Sequence, residues 1–107
     1  MRKSLLASAV ILLVAAAPAA ATSGNQARTT ALRDVHSVAA SVSASSRSKV
    51  TGELVACHRV DRAYVNCAVK LDFGTEYGAY NVLHIRGDKG RYLGPWTFNL
   101  RLPGWGT

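Results

Sequence analysis

The stretch CHRVDRAYVNC, residues 57–67, holds both cysteines of the chain and decides how the rest is read. It is flanked by LVA on one side and AVKLDF on the other, so two β-type runs meet at the polar Asp61-Arg62-Ala63. Folded as a hairpin around Arg62, the stretch sets Val60 against Tyr64, His58 against Asn66 and Cys57 against Cys67. Directly opposed residues bring their Cβ atoms to about 4.5–5.5 Å, closer at a non-hydrogen-bonded pair. A disulfide needs about 3.8 Å, so the narrow pair is in reach. The residues predict a structural bond between Cys57 and Cys67. A redox pair would read C-x-x-C. A zinc site would add a tight second pair, and His58 points to the strand face opposite Cys57.

The same hairpin sets the strand phases. Val65, Cys67, Val69, Leu71 and Phe73 share one face, with Asn66, Ala68, Lys70 and Asp72 on the other. Strands are predicted at Glu53–Val60, Tyr64–Phe73, Ala79–Arg86 and Trp96–Leu102. The register puts Val55 and Cys57, and with them Glu53, on the apolar face. A glycine-bearing turn at Asp88-Lys89-Gly90 would join the third strand to the fourth. The third strand is ambiguous. That turn argues for Tyr80, Val82 and His84 inside, whereas the GTEYG loop argues for Leu83 and Ile85. Both cannot hold without a bulge, because a one-residue slip exchanges the faces. Leu83 and Ile85 are the more apolar pair and are expected inside. Pro95 before Trp96 suits an edge strand.

Ahead of the strands, Ala31, Val35, Val38 and Val42 recur at helical spacing from Ala27 to about Ser45, with Leu32 and Ala39 widening the stripe. TSGNQ (22–26) reads as a flexible start, and SASSRSK as a frayed end and linker. The fold class that follows is α+β: one N-terminal amphipathic helix packed on a four-stranded antiparallel sheet, with a cross-strand disulfide.

The chain opens with MRK, an apolar run from Leu5 to Ala17, and PAAA, the pattern of a secretory signal peptide. The run falls short of the about 20 residues that span a bilayer. Cleavage after Ala21 fits Ala19-x-Ala21; Ala17-x-Ala19 competes. The expected organisation is a leader at 1–21, a start, helix and linker at 22–48, and the sheet at 49–107. Helix and sheet form one domain, released to the exterior or periplasm, with no integral membrane segment. Losing Arg2 and Lys3 takes the net charge from +7 to +5. That balance suits acidic partners but is also ordinary for solubility.

With Leu83 and Ile85 inside, the open face carries His58, Tyr64, Asn66, Lys70, Tyr80, His84, Arg86, Asn99 and Arg101. Lys70, Tyr80, Arg86 and Arg101 are candidate binding residues, and Trp105 is a candidate anchor outside the strands. His58 and His84 are candidates for a general base and acid, with Lys70 or Arg86 stabilising a phosphoryl charge. No G-x-S-x-G, H-E-x-x-H or phosphate-cradling glycine loop is present. No cofactor and no metal set is indicated. The layout resembles other small secreted single-disulfide domains, but no motif ties it to any one kind. The residues favour a non-enzymatic secreted domain that binds a secreted or cell-surface protein or an anionic polymer. The alternative is a ribonuclease-like phosphodiester hydrolase.

Overall fold

The computed structural model describes residues 21–98. Residues 1–20 of the expected leader at 1–21, and Asn99, Arg101 and Trp105 with most of the expected fourth strand, lie outside the described residues. One helix, α1 (Gly24–Ser46), is followed by β1 (Thr51–Arg59), β2 (Val65–Asp72), β3 (Gly78–Arg86), β4 (Lys89–Tyr92) and β5 (Thr97–Phe98). The strands form one antiparallel sheet in the order β1-β2-β3-β4, with β5 also pairing β3. β4 and β5 therefore share a rank, and the sheet has four ranks under one helix. None of the described helices is long and apolar enough to cross a membrane.

α1 begins where Ser23 caps it, its hydroxyl accepting from the Gln26 amide at 3.0 Å. It ends at Arg47, whose left-handed backbone lets its amide donate to Ser43 O. Its buried stripe is Ala27, Thr30, Ala31, Val35 and Ala39, and Val38 and Val42 pack beside it. Leu32 does not join the stripe and stays exposed. The small residues let the helix lie close to the sheet. A Cβ on Gly52 would come within 2.6 Å of Val35 O.

TSGNQ is not a loose start. Thr22 is buried, and its amide donates to Arg62 O. Its hydroxyl donates to Ala63 O and accepts from the Gly87 amide. The Arg59 guanidinium donates to its carbonyl at 2.6 Å. The start of the helix thus clips together two turns that are distant in sequence. SASSRSK is mostly helix, and Ser43 ties its end to Val50 by accepting from the amide and donating to the carbonyl.

The hairpin stands as read. Cys57 pairs with Cys67 and His58 with Asn66, and the Cys57–Cys67 bond is formed with Cα atoms 4.0 Å apart. Beyond it the register differs. A bulge between Leu54 and Ala56 leaves Val55 out of the pairing, so Leu54 opposes Val69 and packs on the core. Glu53 then opposes Lys70 on the open face, not the apolar one. Neither side of the bulge is marked in sequence, because Leu54 and Val55 are both apolar.

Leu83 and Ile85 are fully buried, with Val65, Cys67, Val69 and Leu71 beside them. The loop after β2 is symmetric, pairing Asp72 with Gly78. The next turn is Gly87-Asp88, shorter than Asp88-Lys89-Gly90, with the left-handed residue at Gly87 (φ 62°) and Gly90 inside β4. The two-residue turn agrees in phase with the loop after β2, so the expected conflict disappears, and a separate irregularity lies between β4 and β5. Leu83 pairs with Tyr92, but Ala79 pairs with Phe98, so two extra residues sit on the outer rank. Asn81 fills the gap, its amide nitrogen donating to Gly94 O. The even slip keeps Tyr92, Trp96 and Phe98 on the helix side. Tyr92 and Trp96 pack on the core, whereas Phe98 remains exposed.

Candidate anion-binding corner

The open face is divided. One rung holds Ala56, Ala68 and Val82 in register across β1, β2 and β3, and Ala68 is wholly buried there. This low apolar rung separates two polar regions. On one side lie Lys70, Tyr80, Glu53 and Asp72, where Lys70 Nζ sits 5.9 Å from the Tyr80 ring centre. On the other side lie Tyr64, Asn66 and His84, with Arg86, Lys89 and Arg91 towards the β3–β4 turn. His58 stands on the far side of Asn66. The structure therefore brings His84 and Arg86 together and sets Lys70 and Tyr80 apart from them.

The second region is a shallow hollow of about 280 Å³ lined by Tyr64, His84, Arg86, Lys89, Gly90 and Arg91. The Tyr64 and His84 rings stack nearly parallel, with centroids 4.3 Å and planes 10° apart. His84 Nδ1 lies 2.6 Å from Asn66 Oδ1. The amide oxygen can only accept, so Nδ1 carries the proton and neutral His84 turns its Nε2 lone pair away from Asn66. Arg86 lies 5.8 Å from the Tyr64 ring centre.

Two of the cations oppose one another directly, and the third faces the imidazole. Arg86 pairs with Lys89, and His84 with Arg91, on adjacent parts of the β3–β4 ladder. Like charges directly opposite are destabilising. Among the described residues the ion pair is Arg33–Asp34 on the helix. Among the described residues no carboxylate lies within ion-pair distance of Arg86, Lys89 or Arg91.

The backbone beneath is held firmly. Thr22 fixes the Gly87 amide, Thr30 donates to Gly87 O at 3.2 Å, and Arg33 donates to Asp88 O at 2.6 Å. On the neighbouring turn, Asp61 Oδ1 accepts from the amides of Ala63 and Tyr64. The β3–β4 turn is thus anchored to Thr22 and to α1, and the β1–β2 turn to Thr22 just ahead of the helix.

Lys89 and Arg91 were absent from the sequence-derived site because that stretch reads as a turn. The signal was there: Gly-Asp between two strands is a two-residue hairpin pair, and it extends strand to Lys89. Elsewhere, a hollow of about 350 Å³ between α1 and the β5 end is lined by Val38, Val42, Leu71, Phe73, Ala79, Trp96 and Phe98. Its lining side chains are all apolar apart from the Trp96 indole N–H. Among the described residues no three His, Cys, Asp or Glu side chains converge as metal ligands.

No protein-family model, curated protein or solved structure matches the chain.

Proposed function

We propose that this is a secreted, non-enzymatic domain that binds an anionic polymer of the cell envelope through the Tyr64–His84 corner. The observation that carries the reading is the unneutralised, like-charged rank of Arg86, Lys89 and Arg91 around His84. Facing cations reduce stability slightly, and an anion laid between them reverses the sign of that interaction. The leader pattern at 1–21 and the Cys57–Cys67 bond support export, since disulfides persist in oxidising compartments.

Binding is tested with a polymer whose charge is carried by sulfate esters, such as dextran sulfate, against neutral dextran. The oxidised domain is expected to bind the charged polymer alone, more weakly as salt rises through the screening range. The double variant Arg86→Ala/Arg91→Ala should lose at least about tenfold in affinity, the equivalent of 1.4 kcal/mol. Equal binding by wild type and variant would overturn the assignment to this corner.

One observation favours a phosphodiester hydrolase as a second reading. Asn66 holds His84 in the tautomer that leaves Nε2 available as a base. Spacing opposes it. His58 and His84 flank Asn66 on opposite sides, so their backbones lie about 9.5 Å apart, two strand spacings. A base and an acid each need hydrogen-bond reach of the reacting atoms, directly or through one water. An RNA cleavage assay with His58→Ala and His84→Ala decides it. Activity abolished by both substitutions would replace the binding reading.

A further inference from the structure

We infer that the corner binds its anion together with a proton, taken up at His84 Nε2, and that its ligand group is a sulfate or phosphate ester. The inference rests on the anion-binding reading above and adds its chemistry and its regulation.

Nδ1 of His84 is committed to Asn66 Oδ1 whether the ring is neutral or charged. Any added proton therefore goes to Nε2. Histidine is the side chain whose charge changes between about pH 5 and 8. The groups that face it decide when that happens. From β4 these are Arg91, directly opposite, and Lys89; from β3, Arg86; from β2, the Tyr64 ring and Asn66; and beyond Asn66, His58 on β1. Glu53 and Asp72 lie past the Ala56–Ala68–Val82 rung; the carboxylates on this side belong to the turns, Asp61, which accepts from the Ala63 and Tyr64 amides, and Asp88, between Arg86 and Lys89. With the hollow empty, a fourth positive charge would join three existing ones. With an anion present, the same charge is attracted. Protonation and anion binding thus favour each other, and the coupling is reciprocal.

The donor set points to a tetrahedral oxyanion. Two guanidinium groups, an ammonium and an Nε2–H are distributed over two strands around one hollow. A guanidinium fork matches phosphate-type oxygens as well as carboxylate, but a planar carboxylate offers only two oxygens to four cationic groups. A sulfate or phosphate ester offers three terminal oxygens. In the binding step, solvent supplies one proton to the neutral imidazole, and release returns it. No covalent bond to the ligand forms or breaks.

Dextran sulfate is the probe, because its charge is constant over the range and any pH dependence belongs to the protein. Titration calorimetry on the oxidised domain is run at about pH 5.5 and pH 8, bracketing the histidine range. Each pH is repeated in two buffers of different ionisation enthalpy to count protons. Wild type should bind about tenfold more tightly at the lower pH and take up a proton on binding near neutrality. His84→Gln should bind at both pH values with the weaker affinity and without proton uptake. His58→Gln should keep the wild-type profile. Wild-type affinity that is flat with pH, or a pH dependence that survives His84→Gln, overturns the proton coupling while anion binding stands. No binding of the polymer at either pH overturns the binding reading itself.

Discussion

Thr22 shows how much can rest on one small polar side chain. Its hydroxyl serves Ala63 O and the Gly87 amide at once, in a site closed to water. Thr22→Val keeps the shape and strands both partners, so it should lower stability by about 1–3 kcal/mol. Thr22→Ser should recover most of that in urea unfolding. A Val variant with the wild-type midpoint would contradict the role. Tyr92 is the opposite case. Its hydroxyl is buried with no hydrogen-bond partner among the described residues, and burial, then the Asp34 carboxylate, raise its pKa above the ordinary 10.0. A raised folded-state value stabilises the protonated form, so that stability is present below pH 10.0 and lost as pH rises above it. Tyr92→Phe should be at least as stable as wild type near neutrality and lose less at alkaline pH. A steeper alkaline loss in the variant would contradict this sign. Neither role was legible in sequence. Thr22's partners lie some forty and more residues away, and an unsatisfied hydroxyl is a property of packing alone.

At the scale of elements, the β1–β2 hairpin is held by its covalent bond and by a close helix contact. Replacing both Cys57 and Cys67 by Ala should cost about 2–3 kcal/mol, from loop-closure entropy. Unchanged denaturation would show that the bond contributes little. Gly52→Ala drives a methyl into the backbone of Val35 and should cost about 1–3 kcal/mol. A neutral outcome would mean that helix and strand separate freely. The hairpin was legible because its two cysteines and alternating residues agree on one register. The Leu54/Ala56 bulge was not, because apolar residues occupy both phases and nothing local selects one. It matters for the site's surroundings, since it moves Glu53 to the open face beside Lys70. The third strand was legible from the greater apolarity of Leu83 and Ile85. The turn after it was misread, and β4 missed with it, because Gly87 and Gly90 both offer a left-handed turn residue and only Gly87 uses it.

For the whole molecule, the layers fix one apolar side and leave one open, and the division of that open side follows from the register of three strands. Sequence alone places His58, Tyr64, Asn66, Lys70, Tyr80, His84 and Arg86 on the face, but not Glu53, Lys89 or Arg91. It does not yield the gap between Lys70 with Tyr80 and His84 with Arg86, because the dividing residues, Ala56, Ala68 and Val82, look like ordinary strand positions. Nor does net charge locate the cations. Their concentration at one corner comes from a two-residue turn that sets Lys89 and Arg91 against Arg86 and His84. The central claim is that this corner, and not the charge of the molecule at large, receives the anion. The most direct measurement is an NMR titration of the isotope-labelled, oxidised domain with a short sulfated dextran oligosaccharide. The account predicts saturable shifts at Tyr64, Asn66, His84, Arg86, Gly90 and Arg91, with Lys70 and Tyr80 unmoved. Shifts centred on Lys70 and Tyr80, on the exposed side of α1, or spread evenly over the basic residues would contradict it.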